Sequence, residues 1–448
     1  MTITEQLGAF VTGAAPPAEA RDRAAGAVLD TIGVILAGAG EPASQIVQRV
    51  VAAEGGTACR VFGASASASA TGAALANGTA AHALDYDDMC FVSLAHPSAP
   101  LVPAAFAAAE VAKASGAALL DAYVVGFEVE GRLGALMNPR HYQRGWHCTS
   151  TLGTIGAAAA ASRLLGLDAE ATGHALAIAA SEASGLKENF GTMVKPLHAG
   201  LAARNGVLAA LLARDGMTAS GHALDGPQGF LRAMDSQGTA IAGAIADLGS
   251  RWEIIDTGIT VKLYPSCAGT HPSLDVILDM RRQHGFNAGD VERIDIEVDS
   301  ITPTVLIYNR PATDLEAKFS MPFCAAAAVV DGHVGLETFE ASHLTDPAIT
   351  SLMDRVTMSV GQGFDNGAPA LTQARVTIHL RDSRTFSQNA NGARGYPANP
   401  ASDAELEAKF LSCAERALSK ASAKRALELL RKIGESADVR EVARQLVS

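Results

Sequence analysis

Several short stretches of the chain hold residue types suited to proton transfer beside an anion. In HALDYDDMCFVSLAHPSAP, His82, Asp85 and Tyr86 recur at spacings of three and four, which puts them on one face of a helix reaching its carboxyl end; a loop then delivers His96 ahead of Pro97. Asp85, Asp87 and Asp88 fall within four residues, so their carboxylates repel unless cations lie close by. The same cluster reads equally well as a helix end whose acids cap neighbouring segments. A metal site is a further alternative, although the His and Asp spacing matches no standard ligand motif.

A second stretch, HYQRGWHCTSTLGTIG, places Arg144 and His147 just before a helix that begins near Thr149, with Thr149 or Ser150 as its cap. Gly153 and Gly156 permit a close helix crossing there, and the burial that follows lowers a histidine pKa towards a range useful for acid–base exchange. The plainer reading of His147 is a hydrogen-bonded core residue. In NFGTMVKPLHAGLAARNG, Lys195 is expected to be held extended by Pro196, with a helix starting at the proline. Lys195 and His198 would then stand beside the free N–H groups of a helix amino terminus, a place that receives anions. In VKLYPSCAGTHPSLDV, Lys262 ends an extended stretch and Tyr264–Ser266 turns before the next helix. If that turn faces the first domain, Lys262 supplies a second cation to a cleft.

The elements that must position these residues are mostly helical. From about residue 17 to 250, apolar residues recur at three and four, and Gly or Asp separates the segments. After Trp252, VERIDIEVDS and ARVTIHLRDS alternate with a period of two, the pattern of half-exposed strands, and LEAKFSMPFCAAAAVVDG and PAITSLMDRV read as helices between them. The polar stretch SQNANGARGYPANPASD reads as a connection into further helical sequence. The expected fold is mainly α: a large all-helical domain (1–257), a smaller inserted α+β domain (258–388), and terminal helices (389–448) that rejoin the first.

Composition narrows the function. Of 448 residues, 48% are hydrophobic but only 5% aromatic, so alanine-rich helices must pack closely to fill the core. The net charge of −12, with no basic run, removes the electrostatic drive for nucleic-acid binding. Apolar runs are too short to span a membrane, and the first residues, with Glu5 among them, lack the look of a secretory signal, so a cytoplasmic location is expected. Six scattered cysteines form no C-x-x-C pair, which suits reduced thiols and argues against a zinc site. No nucleophile elbow, phosphate-binding loop or H-E-x-x-H motif is present, and the glycines of VVGFEVEGRLG lie in helical context, so neither metal nor cofactor is expected.

Taken together, ANGTAAHALDYDD, AHPSAPLVPA, RGWHCTSTLGTIGAAAAA, KPLHAGLAARNG, YPSCAGTH and EAKFSMPFC, in this order, resemble the MmgE/PrpD family over nearly the whole chain. The resemblance implies a helical domain with an α+β lid, a homodimer, and dehydration, decarboxylation or epimerisation of a small di- or tricarboxylate. Carried over from the family's decarboxylases, it places Asp85, His96, His147, Lys195 and Lys262 at pocket positions. Met89, Cys267 and Phe323 stand where those enzymes have threonine, histidine and tyrosine.

The expected mechanism passes through a carbanion or enolate beside a carboxylate. Lys195 and Lys262 hold the carboxylates, His147 and His96 exchange protons, and Asp85 fixes the tautomer or charge of a neighbouring imidazole. His82 is a further candidate for proton transfer; Cys267, Arg144 and His198 complete the expected substrate contacts. A lyase is the leading expectation, with an epimerase or a non-catalytic polycarboxylate-binding homologue as the others.

Overall fold

In the computed structural model, residues 1–234, 243, 245–364 and 372–447 are described. Contacts divide the chain into two compact units: residues 1–189, 193–261 and 402–448 form the first, and residues 190–192 and 262–401 the second. The protein is mainly helical, and no single described helix is long and apolar enough to cross a membrane.

In the first unit the helices Ala18–Gly38, Ala70–His82, Ser98–Ala112, Gly116–Met137, Cys148–Leu164 and Val194–Arg214 bury side chains on most of their circumference, because alanine and glycine let backbones approach on several sides. One close crossing fixes the site. A Cβ added at Gly78 would come within 2.8 Å of Gly200 Cα, and one at Gly200 within 2.5 Å of Leu75 O. This contact brings the carboxyl end of the Ala70–His82 helix beside the amino end of the Val194–Arg214 helix. A short hairpin of β1 (Cys59–Val61) and β2 (Ala66–Ala68), which the helical pattern did not signal, caps this region.

The second unit holds a four-stranded sheet in the order β4 (Val356–Val360), β3 (Val291–Val298), β5 (Gln373–Leu380), β6 (Thr385–Asn391). The β3–β4 pair is parallel and the others antiparallel. β5 alternates half-buried and buried residues, as its period of two requires, and the helix His271–His284 packs on β5 and β6.

Three local expectations are corrected. The polar residues Ser387–Asn391, read as connection, belong to β6; the partly buried face of this edge strand, Phe386, Gln388 and Ala390, carries a single large apolar residue, too weak a pattern to reveal it. LEAKFSMPFCAAAAVVDG is not one helix: Asp314–Ala317 stops, Ser320 Oγ accepts from Phe323 N, and Met321–Asp331 starts afresh with Pro322 in its first turn. The Ala70–His82 helix ends at His82, so Asp85 and Tyr86 lie in the following turn and not on its face.

Candidate active site

The first unit gathers His82, Asp85, Asp87, His96, His147, Lys195 and His198 into one cluster. All are buried except His96, which is half-buried. His82 is the last helical residue before a turn in which Asp85 takes φ +52°, a left-handed conformation that costs a non-glycine residue about 1–2 kcal/mol and is kept only where surroundings enforce it. The enforcing contact is an ion pair between the Asp85 carboxylate and the Lys195 ammonium.

Lys195 lies inside the first turn of the helix Val194–Arg214, not in an extended segment ahead of it. Proline at the third helical position loses nothing, since that N–H has no intrahelical partner, and the bias on the preceding residue yields to the Lys195–Asp85 pair. The helix Cys148–Leu164 likewise begins before Thr149. Its N-cap is His147, with no side-chain cap, while Thr149 Oγ1 accepts from His96 N at 3.0 Å. The threonine is spent on holding the His96 loop.

Asp87 receives two imidazoles: its Oδ2 lies 2.7 Å from His82 Nδ1 and 3.3 Å from His96 Nδ1. Burial pushes the Asp87 carboxyl up, but the two histidines outweigh it and hold the group well below the usual carboxylate range. An ionised Asp87 requires Nδ1–H on His82, which leaves Nε2 as the basic nitrogen, and that atom has no hydrogen-bond partner among the described residues. Asp85, expected to orient an imidazole, is paired with Lys195; the carboxylate hydrogen-bonded to His82, and within ion-pair distance of His96, is that of Asp87.

The rings of His82 and His147 stack at 5.5 Å between centroids, and His147 Nδ1 lies 3.0 Å from His198 Nδ1. Two facing nitrogens at that distance need one proton between them, so at most one ring donates. Burial lowers the pKa of His82 to about 3 and of His198 to about 4, and drives that of His147 well below its ordinary value; the Lys195 charge adds to the lowering in all three. These imidazoles are neutral bases at neutral pH.

Behind the turn, Asp88 accepts from Ser98 N at 3.2 Å and from Ser98 Oγ, which also contacts Tyr123 Oη at 2.6 Å. These bonds tie the two ends of the Asp87–His96 loop together. Burial pushes the Asp88 carboxyl up to about 7. One atom each from His82, Asp85, Asp87 and His96 lies within 4.8 Å of the others, a spacing compatible with a divalent ion. The donors are already committed, however: Asp85 carries Lys195, and Asp87 holds both rings.

Arg144 is exposed, at the end of the short helix Arg140–Gln143. Lys262 and Cys267 are carried by the second unit, where Lys262 is buried and Cys267 half-buried. Phe323 is buried there against Phe339, with ring centroids 5.8 Å apart. The sequence reading passed over Asp87 as a site residue, and it also missed Lys409, whose Nζ donates to Tyr86 O at 2.8 Å. A signal for Lys409 exists: it shares a helical stripe with Leu406, Phe410 and Cys413, where an apolar side chain is the norm.

Residues 5–240 match the MmgE/PrpD N-terminal domain and residues 264–435 the MmgE/PrpD C-terminal domain. Human cis-aconitate decarboxylase is 31% identical over 363 residues, covering 78% of this chain and 73% of that protein. A cis-aconitate decarboxylase-like protein of Aspergillus oryzae is 30% identical over 467 residues, 98% of this chain and 96% of its own length. A cis-aconitate decarboxylase of Aspergillus terreus is 28% identical, with 85% and 82% covered. With both halves of the chain matched and similarity running through the segments that build the cluster, the chain belongs to the MmgE/PrpD family.

Proposed function

We propose that this protein is a lyase that transfers a proton beside a carboxylate of a small di- or tricarboxylate, a citrate- or aconitate-like acid, using side chains alone. The observation that carries the reading is the set of buried neutral imidazoles, His82, His147 and His198, around the one ammonium of Lys195. Loss of CO2 or of water from such an acid builds negative charge next to a carboxylate. Lys195 is the group that stabilises it, and an imidazole exchanges the proton. Kinship with cis-aconitate decarboxylases supports the reaction class.

Lys262 is assigned a second carboxylate of the substrate, on the strength of its burial and of the family motif around it. Cys267, His198 and Arg144 complete the proposed substrate contacts. Cys267 and Phe323 remove an imidazole and a phenol relative to the decarboxylase pattern, which shifts the preferred substrate away from cis-aconitate itself. Epimerisation of an iminodisuccinate-like acid, in which the abstracted proton is returned to the same carbon, is the second reading. Six free thiols suit the reducing cytoplasm.

The test is proton NMR in deuterated water on the purified protein with cis-aconitate, methylcitrate and iminodisuccinate in turn. A new alkene resonance, or deuterium at the carbon beside a carboxylate, is the expected result. Calorimetric heat of binding without product or exchange for any of these acids would instead mark a non-catalytic polycarboxylate-binding protein.

A further inference from the structure

The turn that carries Asp85 and Asp87 is held from the far end of the sequence. Lys409, on the helix Asp403–Ala414, is buried, and its ammonium lies 2.7 Å from a carboxylate oxygen of Asp30, itself buried on the helix Ala18–Gly38. The two helices touch at Gly33, where an added Cβ would fall 3.2 Å from Phe410 Cα. That close approach, one turn along from Asp30, sets Lys409 beside its partner.

The same ammonium does a second thing. It donates to Tyr86 O at 2.8 Å and sits 4.1 Å from the centroid of the Tyr86 ring. Tyr86 is the residue between Asp85, with its left-handed backbone, and Asp87, which holds His82 and His96. A carbonyl fixed within the turn restrains both flanking side chains, because only one soft backbone dihedral, φ of Asp87, separates it from the Asp87 side chain, and three, ψ and φ of Tyr86 and ψ of Asp85, separate it from the Asp85 side chain.

We infer that Lys409 is a positioning residue for the proposed proton transfer: through the Tyr86 carbonyl it orients Asp85 towards Lys195 and Asp87 towards the His82 and His96 imidazoles. The competing explanation is that Lys409 and Asp30 form a structural ion pair and nothing more. The two are separable because Asp30 makes the pair and acts on Asp87 and Asp88 only through space, whereas Lys409 serves both the pair and the Tyr86 carbonyl.

The inference rests on the function proposed above only where turnover is read, so the experiment also carries a readout that needs no substrate. Lys409→Met alone would strand the Asp30 carboxylate in the interior and test folding. The informative comparison is Asp30→Asn, which breaks the ion pair and keeps the Tyr86 bond, against the double variant Asp30→Asn with Lys409→Met, which removes both charges and the bond. Thermal unfolding checks that each is folded. Nitrogen NMR of 15N-histidine-labelled protein reads the tautomers of His82 and His96, and turnover is followed on whichever polycarboxylate the wild type converts.

Asp30→Asn is expected to keep the Nδ1–H pattern at His82 and His96, whereas the double variant loses it and its kcat falls about 10- to 100-fold, the cost of a misplacement near 1 Å. Wild-type tautomers in the folded double variant, or equal loss in both variants, would overturn the inference. If the wild type converts no polycarboxylate, the functional reading fails while the tautomer spectra still decide the role of Lys409.

Discussion

Asp87 Oδ2 lies 2.7 Å from His82 Nδ1, with both side chains wholly removed from solvent. A carboxylate in that place does more for the imidazole than neutralise it. It fixes the Nδ1–H tautomer and leaves Nε2 with its lone pair, while burial keeps the ring from taking a second proton until the pH is near 3. The result is a base that is ready at neutral pH and whose protonated form, once made, is an acid strong enough to return the proton.

Replacing Asp87 with asparagine removes the anion that sets this tautomer. Turnover is expected to fall by about 10²- to 10⁴-fold, the usual contribution of a positioned acid–base group. KM should move much less, because Asp87 is bonded to the histidines and does not itself hold an anion. Steady-state kinetics on the converted polycarboxylate separate the two effects; a rise in KM with kcat unchanged would place Asp87 in substrate binding instead.

The Lys195–Asp85 pair is buried on both sides, so removing one partner leaves an uncompensated charge. Lys195→Met should destabilise the protein by about 3–5 kcal/mol, and the double variant Lys195→Met with Asp85→Asn should recover much of that loss. Chemical denaturation of the three proteins measures it. Additive losses would mean that the two groups do not interact.

Substrate binding should be linked to proton uptake. A bound polyanion raises the pKa of His82, His147 and His198 from values that burial has depressed. Affinity should therefore strengthen as pH falls towards the raised values, by up to about tenfold per pH unit for each proton taken up. Calorimetry in buffers of different ionisation enthalpy counts those protons, and heats independent of the buffer would contradict the linkage.

Asp88 gives a test of opposite sign. Burial raises its carboxyl to about 7 from its ordinary value, so its contribution to stability is full below the unfolded value and is lost as pH rises through about 7. Asp88→Asn cannot ionise. Whatever its stability relative to wild type at about pH 5, the difference should move in favour of the variant by about 1 kcal/mol or more by about pH 8. Thermal unfolding across this range checks it; a pH-independent difference would show that Asp88 is ionised throughout.

The helical body and the strands β3 and β5 were legible because burial on one face imposes its own period on the sequence. β6 was not, since its covered face is filled by Gln388 and Ala390 beside Phe386 and so imposes no apolar period. At the site, Asp85, His96, His147, Lys195, His82 and His198, which the motifs singled out, meet in the first unit. Which carboxylate serves which partner was hidden, because a positive φ at Asp85 turns two nearby acids in different directions, and helical spacing says nothing about a turn. Lys409 was hidden for a different reason. A contact between residues 323 positions apart leaves no local pattern, only a charge at an apolar position of its own helix.

The central claim, that Lys195 stabilises the developing charge while an imidazole of the cluster, His147 among them, exchanges the proton, is tested most directly by deuterium uptake from solvent during turnover, followed by proton NMR for the wild type, Lys195→Ala and His147→Gln. Both variants are expected to bind polycarboxylates weakly or normally yet to lose exchange and product formation by about 100-fold or more. Exchange and turnover at wild-type rates in both variants would contradict it.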